Sequence, residues 1–223
     1  MHCQYSYAKR GIVVTEQNFS SMRAAMVESQ LRTSDVDDQR VIAVMARVPR
    51  EDFLPAERRA MAYIDRAVPL WDGRALNPPV ATGRLLKEAQ VEPGDRVLLI
   101  GAATGYGAAL LAELGASVTA VEEEGGPEIS VPGVTVVRGP LNAGAADGAP
   151  YDLLFIDGAV QNVPAALVAQ LAEGGRVVTG LAERGVTRLC SGRAVAGALG
   201  LARLADMEMA VLPGFAEPER FTF

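Results

Sequence analysis

A run of small residues, Gly101-Ala102-Ala103-Thr104-Gly105-Tyr106-Gly107, follows a short apolar stretch at 96–100 and leads into an Ala- and Leu-rich stretch at 105–114. Between a buried strand and a helix, such a turn lets backbone N–H groups come close to a nucleotide, because few side chains stand in the way. Roughly twenty residues on, the usual distance to a ribose-binding acid, Glu122 closes a second apolar run at 117–122. A carboxylate at such a strand end can accept both ribose hydroxyls. Asp157 ends another apolar run in Phe155-Ile156-Asp157-Gly158 and faces the same crevice; the competing reading is a turn former ahead of glycine. Glu123 and Glu124 read as a solvated acidic corner.

Two ligand classes compete for this turn. A dinucleotide fingerprint asks for glycine at 101, 103 and 106, and the tyrosine at 106 fits poorly where a helix must pack tightly under a pyrophosphate. An S-adenosylmethionine (SAM) site asks for small residues at 101, 103 and 105, and Gly101, Ala103 and Gly105 supply them, with Ala102 and Thr104 between. A SAM-type site is therefore the reading. A glycine-rich turn with no ligand is its rival, and Glu122 in register argues against that rival.

These residues need a scaffold. Apolar runs at 96–100, 117–122, 134–138, 151–156 and 176–179 predict strands, and the stretches at 105–114 and 163–172 predict helices between them. Continuous apolar runs suit strands covered on both faces, so the alternation predicts a doubly wound, mostly parallel sheet. Later stretches at 187–193 and 199–212 predict a closing antiparallel pair. Upstream, helices are expected at 19–31, after the Asp35–Asp38 capping signal and stopped by Pro49, at 57–63, and at 80–89, with a turn-rich loop at 68–73. The division that follows is a flexible leader at 1–18, a helical cap with a substrate loop at 19–90, and a Rossmann-like domain at 91–223.

Composition narrows the chemistry further. The only histidine is His2, which removes histidine-based metal sites, Ser-His-Asp triads and Cys-His pairs, and no metal site is expected. Cys3 and Cys190 form neither ligand spacing nor a disulfide framework, which suits a reducing cytoplasm. The formal charge of −6, with arginines scattered among acids, argues against a nucleic-acid partner. No run approaches the ~18 apolar residues of a membrane span.

Several segments, in order, resemble the protein-L-isoaspartate O-methyltransferases. They are Met26-Val-Glu-Ser-Gln-Leu-Arg32, Val48-Pro-Arg-Glu-Asp-Phe-Leu-Pro55, Ala62-Tyr-Ile-Asp65, Val91-Glu-Pro-Gly-Asp-Arg-Val-Leu98, the Gly101 turn, Ala149-Pro-Tyr-Asp152 and Gln170-Leu-Ala-Glu-Gly-Gly-Arg-Val177. The resemblance implies a class I SAM-dependent methyltransferase fold, with SAM as cofactor and a peptide or protein bearing isoaspartyl residues as substrate. It also implies that the cap encloses the peptide cleft. The carboxylate nucleophile is already ionised at neutral pH, so in-line positioning supplies much of the rate and no strong base is needed.

The chain departs from the family pattern at the site. Where the family loop reads Gly-x-x-Ile-Ser-x-Pro and presents a hydroxyl, this chain has Gly73-Arg74-Ala75-Leu76-Asn77-Pro78-Pro79. By resemblance Asn77 takes the hydroxyl position, where its amide can donate to a carboxylate, and Arg74 can add a charge-assisted bond. Leu99 stands where the family places an acid. Gly139-Pro140-Leu141 replaces the family's Gly-Asp-Gly, which removes an acceptor for the adenine amino group; the adenine is expected near Leu141. The expected site is thus Asn77 and Arg74 for catalysis, with Gly101, Ala102, Ala103, Thr104, Gly105, Glu122, Leu141 and Asp157 for the cofactor. Two alternatives stay open on these residues: a methyltransferase-fold binding module without catalysis, and a methyltransferase for another carboxylate.

Overall fold

The computed structural model describes residues 18–216. The expected leader, 1–18, lies outside this range except for Asn18, whose side chain accepts from the Ser21 amide and caps α1 (Phe19–Met26). The helix predicted over 19–31 runs on from α1 as a wider turn at Val27–Leu31 and a tight one at Arg32–Ser34. Asp38 caps α2 (Gln39–Arg47) by accepting from the amides of Arg40 and Val41. Asp35 takes a different part: it turns left-handed at φ 61° and pairs with Arg84 and Lys87. The stretch at 57–63 forms a tight helix at Ala56–Met61.

The loop expected at 68–73 is part of a small hairpin. Its arms β1 (Val68–Pro69) and β2 (Ala75–Leu76) pair antiparallel, and the bend is made at Asp72 (φ 41°) and Gly73 (φ 75°). Next comes α3 (Pro79–Ala89), with proline at its first position, where no amide partner is lost.

The main sheet contains β3 (Arg96–Ile100), β4 (Ser117–Glu122), β5 (Val134–Arg138), β6 (Tyr151–Val160), β7 (Leu171–Glu183), β8 (Val186–Val195) and β9 (Ala198–Asp206), in spatial order β5-β4-β3-β6-β7-β8-β9. The first five of these in space are parallel, and β8 and β9 close the sheet antiparallel, as expected. Neighbouring residues on one strand belong to opposite cores. Val97, Leu99, Leu153 and Phe155 join the cluster with the N-terminal helices and α4 (Tyr106–Glu113). Leu98, Ile100, Leu154 and Ile156 join the other cluster with Leu141, Leu167, Leu212 and Phe215. This two-sided burial is why the strands read as unbroken apolar runs. Leu99, at the family's acidic position, is a fully buried core residue.

Two expectations are corrected. The helix predicted over 163–172 is a single turn, α5 (Ala165–Val168), and β7 begins at Leu171 instead of Arg176. The cause is tertiary. The Gln170 side chain accepts from the Ala145 amide and donates to the Ala143 carbonyl, and the Gln170 backbone carbonyl accepts from the Tyr151 amide. The chain is captured by the edge of β6 before the helix can continue. The strand predicted over 199–212 ends at Asp206. Beyond it the chain crosses to the end of β6, where Ala159 N–H donates to the Ala210 carbonyl (2.7 Å) and Leu212 N–H donates to the Ala159 carbonyl (2.8 Å).

Candidate active site

β3 is flanked by β4 on one side and β6 on the other, so chain order reverses there, the place where doubly wound sheets bind ligands. The turn after β3 is left-handed at Gly101 (φ 79°), Ala103 (φ 52°) and Gly105 (φ 95°). Its small side chains keep this sharp path open; Ala103 is the one position that bears a Cβ in the region favouring glycine.

Glu122 ends β4 and is completely buried. The structure places Arg74 upon it: Nε donates to Oε1 at 3.1 Å and Nη2 to Oε2 at 2.7 Å, a bidentate fork between side chains 1% and 0% exposed. The Ala103 amide also donates to Oε2 (2.5 Å) and the Glu123 amide to Oε1 (3.0 Å). Four donors therefore meet the carboxylate whose position suits a ribose.

Asn77 is equally committed. Its Nδ2 donates to Asp157 Oδ1 at 2.7 Å, and its Oδ1 accepts from the Ala210 amide at 2.8 Å. Burial pushes the Asp157 carboxyl above the usual carboxylate range, opposed by the Asn77 hydrogen bond and by the charges of Arg50 and Arg74. Asp157 Oδ2 lies where a Cβ at Gly107 would stand 2.7 Å away, so glycine at 107 lets the carboxylate sit against α4. Thus Asn77 and Asp157 meet in one pair, and Arg74 and Glu122 in another. Leu141 is buried in the apolar cluster that includes Phe215.

Three contributors lie outside the expected set. Arg50, from the Val-Pro-Arg-Glu segment, is fully buried; it donates to the carbonyls of Ala62 and Asn77, and its guanidinium lies 5.0 Å from the Tyr106 ring centre. It therefore fixes the backbone that presents Asn77. Leu212 packs on the turn, where a Cβ at Gly101 would meet its methyls at 2.8 and 3.0 Å. Trp71 lines two cavities at the rim. One, of about 400 Å³, also has Asp72, Arg74, Glu123, Glu124, Gly139 and Pro140 on its walls; the other, of about 430 Å³, reaches Thr104. Arg50 carried a signal in its motif, whereas Leu212 sits more than a hundred residues from the turn it covers and carried none.

The residues fit a SAM-type ligand in kind: a turn of small residues, a strand-end carboxylate, and buried polar atoms at Thr104 Oγ1 and Arg74 Nη1 that have no hydrogen-bond partner among the described residues. Among those residues no cluster of metal-ligating side chains occurs, and no helix is long and apolar enough to cross a membrane.

Doubly wound sheet, left-handed small-residue turn and strand-end acid together define a class I SAM-dependent methyltransferase fold. Comparison with known proteins takes the assignment further. Residues 21–192 match the family model of protein-L-isoaspartate(D-aspartate) O-methyltransferase. The protein-L-isoaspartate O-methyltransferase of Koribacter versatilis is 36% identical over 205 residues, which cover 88% of this chain and 92% of that one. That of Aeropyrum pernix is 40% identical over 173 residues, covering 72% and 66%. The chain belongs to the protein-L-isoaspartate O-methyltransferase family. Solved structures agree on the fold. One protein-L-isoaspartate O-methyltransferase superposes with a TM-score of 0.74 at 23% identity, covering 86% of this chain and 66% of its own. A beta-aspartate methyltransferase from Plasmodium falciparum, in complex with S-adenosyl-L-homocysteine, superposes with 0.71 at 18% identity, covering 85% and 97%.

Proposed function

We propose that the chain is a SAM-dependent carboxyl methyltransferase that esterifies the carboxylate of isoaspartyl residues in damaged peptides and proteins, acting in the cytoplasm. The observation that carries this reading is the placement of Glu122 against the Gly101–Gly105 turn at the switch point of the sheet, in a chain that belongs to the isoaspartyl methyltransferase family.

SAM, when bound, supplies a methyl group made electrophilic by its sulfonium. The residues that would hold it are Gly101, Ala102, Ala103, Thr104 and Gly105 along the turn, Glu122 at the ribose, and Leu141 at the adenine. What the chain must do is orient the attacking oxygen and exclude water, since a carboxylate needs no deprotonation. Asn77 is the group proposed to orient it: Asp157 holds its side-chain amide with the nitrogen defined as the donor end, while Arg74, expected beside it, is engaged by Glu122. Arg50 holds the Asn77 carbonyl from below, so the loop is fixed from both its backbone and its side chain.

The test is direct. Purified protein incubated with methyl-labelled SAM should place label on an isoaspartyl peptide as a base-labile methyl ester, and should leave the matching aspartyl peptide unlabelled. No ester on the isoaspartyl peptide, despite measurable binding of S-adenosylhomocysteine (SAH), would sink the substrate assignment.

A further inference from the structure

The Arg74–Glu122 pair joins two groups that the proposed reaction needs separately. Both oxygens of Glu122 accept from Arg74, and both also accept a backbone amide, so its acceptor capacity is largely filled. Arg74 Nη2 also lies 3.3 Å from where a Cβ at Gly101 would be, so the guanidinium covers the first residue of the turn as well as the acid. A ribose cannot reach Glu122 while the fork is in place.

The arm that carries Arg74 is slight. It is a hairpin with two paired residues per strand, bent at Asp72 and Gly73, with Arg74 bonded through its backbone to Leu70 and Trp71. Arg74 also lines the cavity of about 400 Å³ walled by Asp72, Glu123 and Glu124. A guanidinium that leaves Glu122 therefore enters a space bordered by three other carboxylates. Its charge is not left buried and unpaired, which would be the costly outcome.

We propose that Arg74 is a latch: it competes with the ribose of SAM for Glu122 and swings into the acidic cavity when the cofactor binds. This inference rests on the SAM reading given above and adds to it a residue that sets cofactor affinity. If the site is open only a small fraction of the time, apparent affinity falls by that fraction.

The latch makes two effects of one substitution run in opposite directions. Arg74→Gln removes a partner from a buried ion pair, so its urea midpoint should fall. Its affinity for SAH, measured by calorimetry, should nevertheless rise by roughly ten- to a hundredfold, as expected when a mostly closed state is abolished. A purely structural role would lower both. Should Arg74→Gln fail to fold, the wild-type protein decides. The side-chain Nε–Hε resonance of Arg74, assigned by its absence in Arg74→Lys, should be protected from solvent exchange in the free protein and lose that protection when SAH is added. If SAH binds the wild type with Arg74 Hε still protected, the latch is overturned and the SAM reading stands. If no SAH binds to wild type or variant at millimolar concentration, the SAM reading falls and the latch falls with it.

Discussion

Asp157 is the residue on which the acid–base behaviour of the site turns. Its carboxyl is buried and pushed above the ordinary range, with the Asn77 amide and two arginine charges only partly restoring the ionised form. A carboxyl whose folded-state pKa is raised binds its proton more tightly in the folded than in the unfolded chain. Its contribution to stability is therefore greatest below the ordinary value of about 4 and declines as pH rises through the folded value. Asp157→Asn keeps an acceptor for Asn77 and removes the titration. Urea midpoints of the two proteins should diverge in the variant's favour as pH rises above about 4; parallel curves would refute the assignment. At this scale the sequence was informative about identity and poor about partners. Gly101 and Glu122 were legible because a βα turn and a strand end have fixed spacing; Asp157, expected to close a strand over 151–156, lies within β6, which runs on to Val160. That Arg74 would lie on Glu122, and Asn77 on Asp157, was not legible, since these contacts cross 48 and 80 residues and no local pattern encodes them.

Among the elements, the segment after β9 departs most from its local pattern. Period-two hydrophobics through 212 suggest one long strand, yet the strand ends at Asp206 and Thr187 takes hold of the next turn, its hydroxyl accepting from the Met209 amide. The chain then runs against Gly158, where an added Cβ would meet the Ala210 carbonyl at 2.7 Å and Leu212 at 2.8 Å. Gly158→Ala should therefore displace this crossing, with a stability loss of about 1–3 kcal/mol, as for other overpacked sites. Limited proteolysis should show new cleavage within 207–216, and an unchanged digest would count against the packing described. The short α5 teaches the same lesson from the other side. Residues 163–172 have helical spacing, but Gln170 finds better partners at Ala143 and Ala145 than a further helical turn offers. Helices whose caps lie within the segment, such as α2 with Asp38, were legible; elements ended by distant contacts were not.

Taken whole, the described residues are built on one seven-stranded sheet with an apolar cluster on each face, and the candidate site lies where the two clusters meet the strand ends. This much was visible in the alternation of apolar runs and helical stretches, because burial on both faces leaves a mark that no single contact can erase. Covering of the Gly101 turn by Leu212 was invisible, because it depends on how the last segment folds back over the sheet. The chain also contains a single tryptophan, and it is Trp71, in the same hairpin as Arg74, its indole packed on the backbone of Gly126. The hairpin therefore carries its own optical reporter. Indole emission should change in intensity and wavelength as SAH is titrated into the wild type, with a midpoint that matches calorimetry. In Arg74→Gln it should start close to the liganded value and move little. A signal that ignores SAH in the wild type would mean that the arm stays still. One that follows it makes the gate's motion readable in real time, with no label attached.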